Sequence, residues 1–130
     1  MRLIRRSTRL AIVKLPPDSV VPPWAQLGAF SSVTRTPTEL SIVCDIRLIP
    51  ADLPRPEPWI WLEVEGPLSF SLVGVLAALA VPLSEAGVSV FPIGTHDTDH
   101  LLIRSREEQH ARDALTDAGH EIVTTDELRP

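Results

Sequence analysis

The sequence predicts an α+β fold. It would be built from antiparallel sheets with helices on one face, the second half ordered β-α-β-β-α-β in the ferredoxin-like split arrangement and the first half a shortened version of the same unit. Three observations carry this. Short runs rich in β-branched and apolar residues recur along the whole chain, helical apolar spacing is found only beyond Gly66, and prolines cluster at 16–23 and 50–58. The second cluster divides residues 1–56, a truncated N-terminal domain with its Pro-rich linker, from residues 57–130, a full C-terminal domain.

The elements follow in order. "TRLAIVKL" (8–15) has the composition of a strand, which Pro16 and Pro17 end. "WAQLG" (24–28) has room for a short helical turn closed by Gly28. "FSSVTRT" (30–36) and "ELSIVCD" (39–45) read as strands joined by a tight turn at Pro37 and Thr38. "IPADLPRPEPW" (49–59) holds too many prolines for regular structure.

"WIWLEVEG" (59–66) sets Trp59, Trp61 and Glu63 against Ile60, Leu62 and Val64, the period of a strand with two different faces. Pro67 and Ser69 then open a helix with apolar positions 72, 73, 76, 79, 80 and 83, ending at Gly87, and Pro82 predicts a kink or an early end. "VSVFPIGT" (88–95) and "DHLLIRS" (99–105) are the next strands. Ser105 and Glu108 have the spacing of a capping box, and Ala111, Ala114, Leu115 and Ala118 give the second helix a buried stripe up to Gly119. "HEIVTT" (120–125) supplies the last strand.

Composition narrows the function classes. A net charge of −5 is the wrong sign for a nucleic-acid binder, and Arg2, Arg5, Arg6 and Arg9 read as a solvated terminus and first-strand edge. The single cysteine, Cys44, sits in an apolar run and reads as a buried, inert thiol. The apolar run 72–81 is too short to span a bilayer and no signal peptide is visible, so a soluble, cytoplasmic protein without a membrane partner is expected.

The stretch "THDTDH" (95–100) concentrates polar chemistry between two strands. His96, Thr98 and His100 would share one face of an extended strand and Asp97 and Asp99 the other, so these ligands do not converge and no metal site is expected. His110 and His120 read as solvated. Ser69, Ser71, Ser84 and Ser89 lack a G-x-S-x-G setting, so no catalytic residue, no cofactor and no enzymatic activity is expected.

"EGPLSFSLVGVL" (65–76) runs from a strand into a helix, leaving backbone N–H groups near 69–72 free to receive a carboxylate. The alternative is that Ser69 or Ser71 only caps the helix and Gly74 is a packing contact. Neither a Walker loop nor a dinucleotide fingerprint is present, which favours a small carboxylate over a polyphosphate.

"SVTRTPTELSIVC", "EGPLSFSLVGVLAALAVPLSEAGVSVF" and "IGTHDTDHLLI" closely resemble small bacterial ACT-domain proteins of the aspartate-kinase-like kind, relatives of the CASTOR arginine sensors. The resemblance covers most of residues 8–124. It implies tandem ACT domains, the N-terminal copy truncated, that form a homodimer and bind an amino acid between domains or subunits without chemistry. The ligand residues it implies are Ser69, Leu72, Val73 and Gly74 at the helix opening and Thr95, His96, Thr98 and Asp99 in the polar break. Ser89 and Val90 would come from the partner strand, and Asp99 would meet a ligand ammonium or guanidinium. Leu72 stands where the arginine sensors are acidic and His96 where they are aromatic, so arginine specificity is not carried over. An unidentified protein partner would read the liganded state; the alternative is a ligand-free interaction module.

Overall fold

Strand β1 (Arg2–Leu15) begins well before the stretch predicted for it. Leu3 and Ile4 are buried, and Arg5 and Arg6, which follow them, are half-buried and not a solvated terminus. Arg5 Nη2 lies 3.0 Å from Glu108 Oε1 and Arg6 Nη2 lies 2.9 Å from Glu63 Oε2, so two of the charges that suggested a loose end are neutralised by carboxylates far along the chain. Arg2 and Arg9 stay exposed.

The computed structural model describes residues 1–68 and 73–124. By its contacts the chain divides into Thr8–Trp59 and a second unit made of Met1–Ser7 with Ile60–Pro130. The division expected between residues 56 and 57 differs from this mainly in Met1–Ser7, which goes with the C-terminal half.

In the Thr8–Trp59 unit, β2 (Ser31–Arg35) and β3 (Leu40–Asp45) form an antiparallel hairpin, and β3 pairs antiparallel with Leu10–Leu15 of β1. The tight turn predicted at Pro37 and Thr38 is closed by Thr36: its backbone N–H donates to Glu39 O at 2.9 Å and its hydroxyl accepts from the N–H groups of Thr38 and Glu39 at 3.2 Å. Ala11, Leu40, Ile42 and Cys44 make the core with Ala25 from a 3₁₀ turn (Pro23–Gln26) and with Ile49. Thr8–Trp59 has no α-helix among the described residues, as the sequence led one to expect.

The second unit places β4 (Trp59–Val64), α1 (Val75–Glu85), β5 (Phe91–Gly94), β6 (Asp99–Arg104), α2 (Glu108–Asp117) and β7 (Glu121–Thr124) in the predicted β-α-β-β-α-β order. The N-terminal part of β1 adds a strand that the prediction lacked. Arg2–Arg5 pairs in parallel with Glu121–Thr124, and β1 is also hydrogen-bonded to β4, giving the order β7-β1-β4-β6-β5. The alternation read in β4 holds: Ile60, Leu62 and Val64 join Leu101, Ile103, Leu79, Leu83, Ala111 and Leu115 in one core.

Four local expectations are corrected. Helix α1 starts at Val75 behind Gly74, whose φ of +78° suits a residue without Cβ, and Val73 and Leu76 are 90% and 39% exposed rather than core. Pro82 does not end the helix, which continues to Glu85. The missing N–H of Pro82 would leave the carbonyl of Ala78 without its i+4 donor, and His120 Nε2 donates to that oxygen at 3.0 Å. The strand predicted over 88–95 shortens to Phe91–Gly94, because Val88 turns into the core instead of alternating. The capping box does not form: Ser105 opens a 3₁₀ turn (Ser105–Glu107), its buried hydroxyl has no partner among the described residues, and Glu108 is drawn to Arg5 and Arg112.

Candidate functional site

The polar break between β5 and β6 is a closed hairpin turn. Thr95 donates its backbone N–H and its hydroxyl to Thr98 O, each at 2.9 Å, while the ladder below it pairs Gly94 with Asp99. His96 and Asp97 therefore form the tip, exposed to solvent, with His96 Nδ1 at 2.8 Å from Asp97 Oδ1. A surface pair of this kind contributes little to stability.

The turn is fastened to the loop that leaves β4. Thr98 donates its hydroxyl to Val64 O at 2.7 Å, and Leu68 donates its N–H to Asp97 O at 2.6 Å. Gly66 eases this approach, since a Cβ there would stand a tight 3.1 Å from Thr98 Cβ and 3.2 Å from Asp97 O. Beside the fastened turn lies Asp99, half-buried, with no cationic partner among the described residues. Its Oδ1 is 3.5 Å from where a Cβ on Gly94 would sit. An unpaired carboxylate held on a rigid turn can receive an ammonium or guanidinium through charge-assisted hydrogen bonds.

The predicted site residues divide accordingly. Thr95, His96, Thr98 and Asp99 share one turn, and the chain after β4 is brought against it. Val73 and Gly74 stand at the start of α1, whose first turn, beginning at Val75, carries free N–H groups; positions 69–72 lie outside the described residues. Ser69 and Leu72 lie outside the described residues. Ser89 is exposed and Val90 packs on the core, and both sit in the connection before β5, not in a strand.

A second group was not foreseen. Trp61 Nε1 donates to Nδ1 of the buried His100 at 3.0 Å, so the imidazole carries its proton on Nε2. Glu63 Oε1 lies 3.9 Å from that Nδ1, Arg6 binds Glu63, and the Arg6 guanidinium lies 5.9 Å from the Trp61 ring centre. Burial holds the His100 pKa below its usual value, against the raising effect of Glu63 and Asp99 and with a smaller lowering from Arg6. The second face of β4 was legible in its alternation. Its meeting with His100 depends on the β4–β6 pairing, which no local pattern encodes.

Elsewhere, burial and then Asp45 push the Cys44 thiol up to about 11, which leaves it protonated and unreactive at neutral pH. Among the described residues no group of three or more His, Cys, Asp or Glu is placed to hold a metal ion, and no helix is long and apolar enough to cross a membrane.

Residues 55–117 match the profile of an ACT domain, and residues 9–52 match a profile of an N-terminal domain. Among solved structures the chain is similar to protein Atu0741 from Agobacterium tumefaciens, at 38% identity over 95% of this chain and 92% of that one, with a TM-score of 0.87. It also shares its fold with VC0802 from Vibrio cholerae, a protein of unknown function described as a possible transport protein, at 21% identity over 87% of this chain and 85% of that one, with a TM-score of 0.72. No curated protein matches the chain.

Proposed function

Since this chain belongs to the same family as Atu0741 and carries an ACT domain, in general a regulatory, ligand-binding module, we propose that it is a non-enzymatic sensor of a small amino acid. The observation that supports this best is the fastening of the 95–99 turn to the loop after β4 by Thr98 and Leu68, which leaves the Asp99 carboxylate unpaired beside it. In this reading the carboxylate takes the ligand's ammonium, and the free N–H groups at the start of α1 take its carboxylate. Ser89 and Val90 of a second copy complete the pocket in a homodimer, and the bound amino acid stabilises one dimer arrangement that a partner protein reads. The protein works in the cytoplasm.

The test is a thermal-shift screen of the twenty amino acids at millimolar concentration. A ligand present at a hundredfold excess over Kd stabilises by about 2.7 kcal/mol, and the stabilisation should vanish in Asp99→Ala. A flat response across all twenty, with the protein folded, would sink the sensor reading.

One observation favours a second reading, a ligand-free dimerisation module. Leu76 and Val81 of helix α1, and Val73 just before it, are 39%, 51% and 90% exposed, and no charged residue occurs between Glu65 and Glu85. A second copy covering that face would make Val81→Lys monomeric by sedimentation, with or without amino acids.

A further inference from the structure

Within the Thr8–Trp59 unit, the end of β1 and the proline-rich segment after β3 form the walls of a half-open pocket of about 250 Å³. Val13, Leu15, Ile49 and Leu53 line it with Pro54 and Pro56, and its charged lining residues are Lys14 and Arg55. Both are cationic in a chain of net charge −5, and both are exposed. In the same unit Arg47 is paired with Asp45. Neither Lys14 nor Arg55 has an acidic partner among the described residues, and no carboxylate lines the pocket.

We infer that this pocket binds a small aliphatic carboxylate that carries no amino group. Its volume falls below the roughly 300–1,000 Å³ of sites for drug-sized ligands, so it suits a molecule of about six carbons. The apolar walls take the branched hydrocarbon end, and the two cations take the carboxylate by charge-assisted hydrogen bonds. An α-ammonium would meet two positive charges and no acceptor carboxylate, which sets this ligand apart from the amino acid proposed for the other unit. The prolines fix the backbone of the segment before binding, so little ordering entropy is lost when the ligand enters.

Leucine and two fragments of it form the discriminating set: isocaproate, which lacks the amine, and isoamylamine, which lacks the carboxylate. In amide NMR titrations of the full-length protein, isocaproate should produce saturable shifts at Val13, Lys14, Leu15, Leu53 and Arg55. Removing both charges in Lys14→Gln/Arg55→Gln should weaken it about ten- to hundredfold, the loss expected for hydrogen bonds to a charged group. Leucine should bind this pocket at least about tenfold more weakly than isocaproate, and isoamylamine should leave those amides unmoved. Asp99→Ala should bind isocaproate as the wild type does, so failure of the amino-acid site would not touch this result. The inference is overturned by absence of saturable shifts at these amides, by equal binding of isoamylamine, or by unchanged affinity in a charge-free variant whose spectrum is that of the folded protein.

Discussion

At the scale of single residues, the candidate site depends on Gly66 and Thr98. Replacing Gly66 by Ala would drive a methyl group against Thr98 Cβ and the Asp97 carbonyl, both already within 3.2 Å of that position. Because the Asp97 carbonyl and Thr98 are fixed by hydrogen bonds to Leu68 and Val64, they give little, and Gly66→Ala should lower the free energy of unfolding by up to about 1 kcal/mol in urea titration. His100 sets a pH dependence. Its pKa in the folded protein is lowered from 6.5 by burial, so as pH falls the unfolded chain takes up this proton before the folded one. Its contribution is complete above 6.5 and is lost as pH drops through the folded value. Melting temperature should therefore fall between about pH 7 and pH 5, and His100→Asn, which keeps an acceptor toward Trp61, should flatten that fall. Below 4.5 a further loss belongs to Glu108, held low first by its hydrogen bond from Arg5. The sequence pointed to the 95–99 cluster because polar residues crowd a turn there. It could not show that Thr98 donates to Val64 O, since a backbone carbonyl leaves no trace in residue type.

At the scale of elements, α1 holds together across Pro82 by borrowing a donor. His120 Nε2 supplies Ala78 O with the hydrogen bond that the backbone at Pro82 cannot, while its Nδ1 lies 2.9 Å from the amino group of Met1. His120→Ala should destabilise by about 0.5–1.5 kcal/mol, the net worth of a single hydrogen bond. Pro82→Ala restores a backbone N–H at that position, so His120→Ala should cost less in that background, and a double-mutant cycle by chemical denaturation measures the coupling. Local patterns foretold most of the elements. Alternation gave β4 and its buried face, and the Pro37–Thr38 signal gave the hairpin of β2 and β3. Helical spacing misled at Val73 and Leu76, because an apolar residue fits the period whether it meets core or solvent. The capping box misled because an ion pair from Arg5, remote in sequence, outweighs a local cap for Glu108.

At the scale of the whole molecule, the second unit is discontinuous in sequence, since Met1–Ser7 folds with the residues from Ile60 onward. Fold class was legible because it follows from element order. The insertion of β1 between β7 and β4 was not, because a parallel pairing of residues 2–5 with 121–124 has no turn to announce it. A variant lacking Met1–Ser7 should lose the amide-exchange protection of Ile122 and Val123, whose described strand partner is β1, together with the ion pairs to Glu63 and Glu108. Retained protection at Ile122 and Val123 would show that β7 can find another neighbour.

That strand also bears on the order in which the chain is made. Arg2 leaves the ribosome 119 residues ahead of its partner Glu121. At roughly 5–20 residues per second, the interval is roughly 6–24 s, during which Leu3 and Ile4 have no finished sheet to enter. The Thr8–Trp59 hairpin, with all its strand pairs close in sequence, can form during that wait. For that half of the molecule folding can begin while β7 is still to be made, whereas the other half must wait for β7.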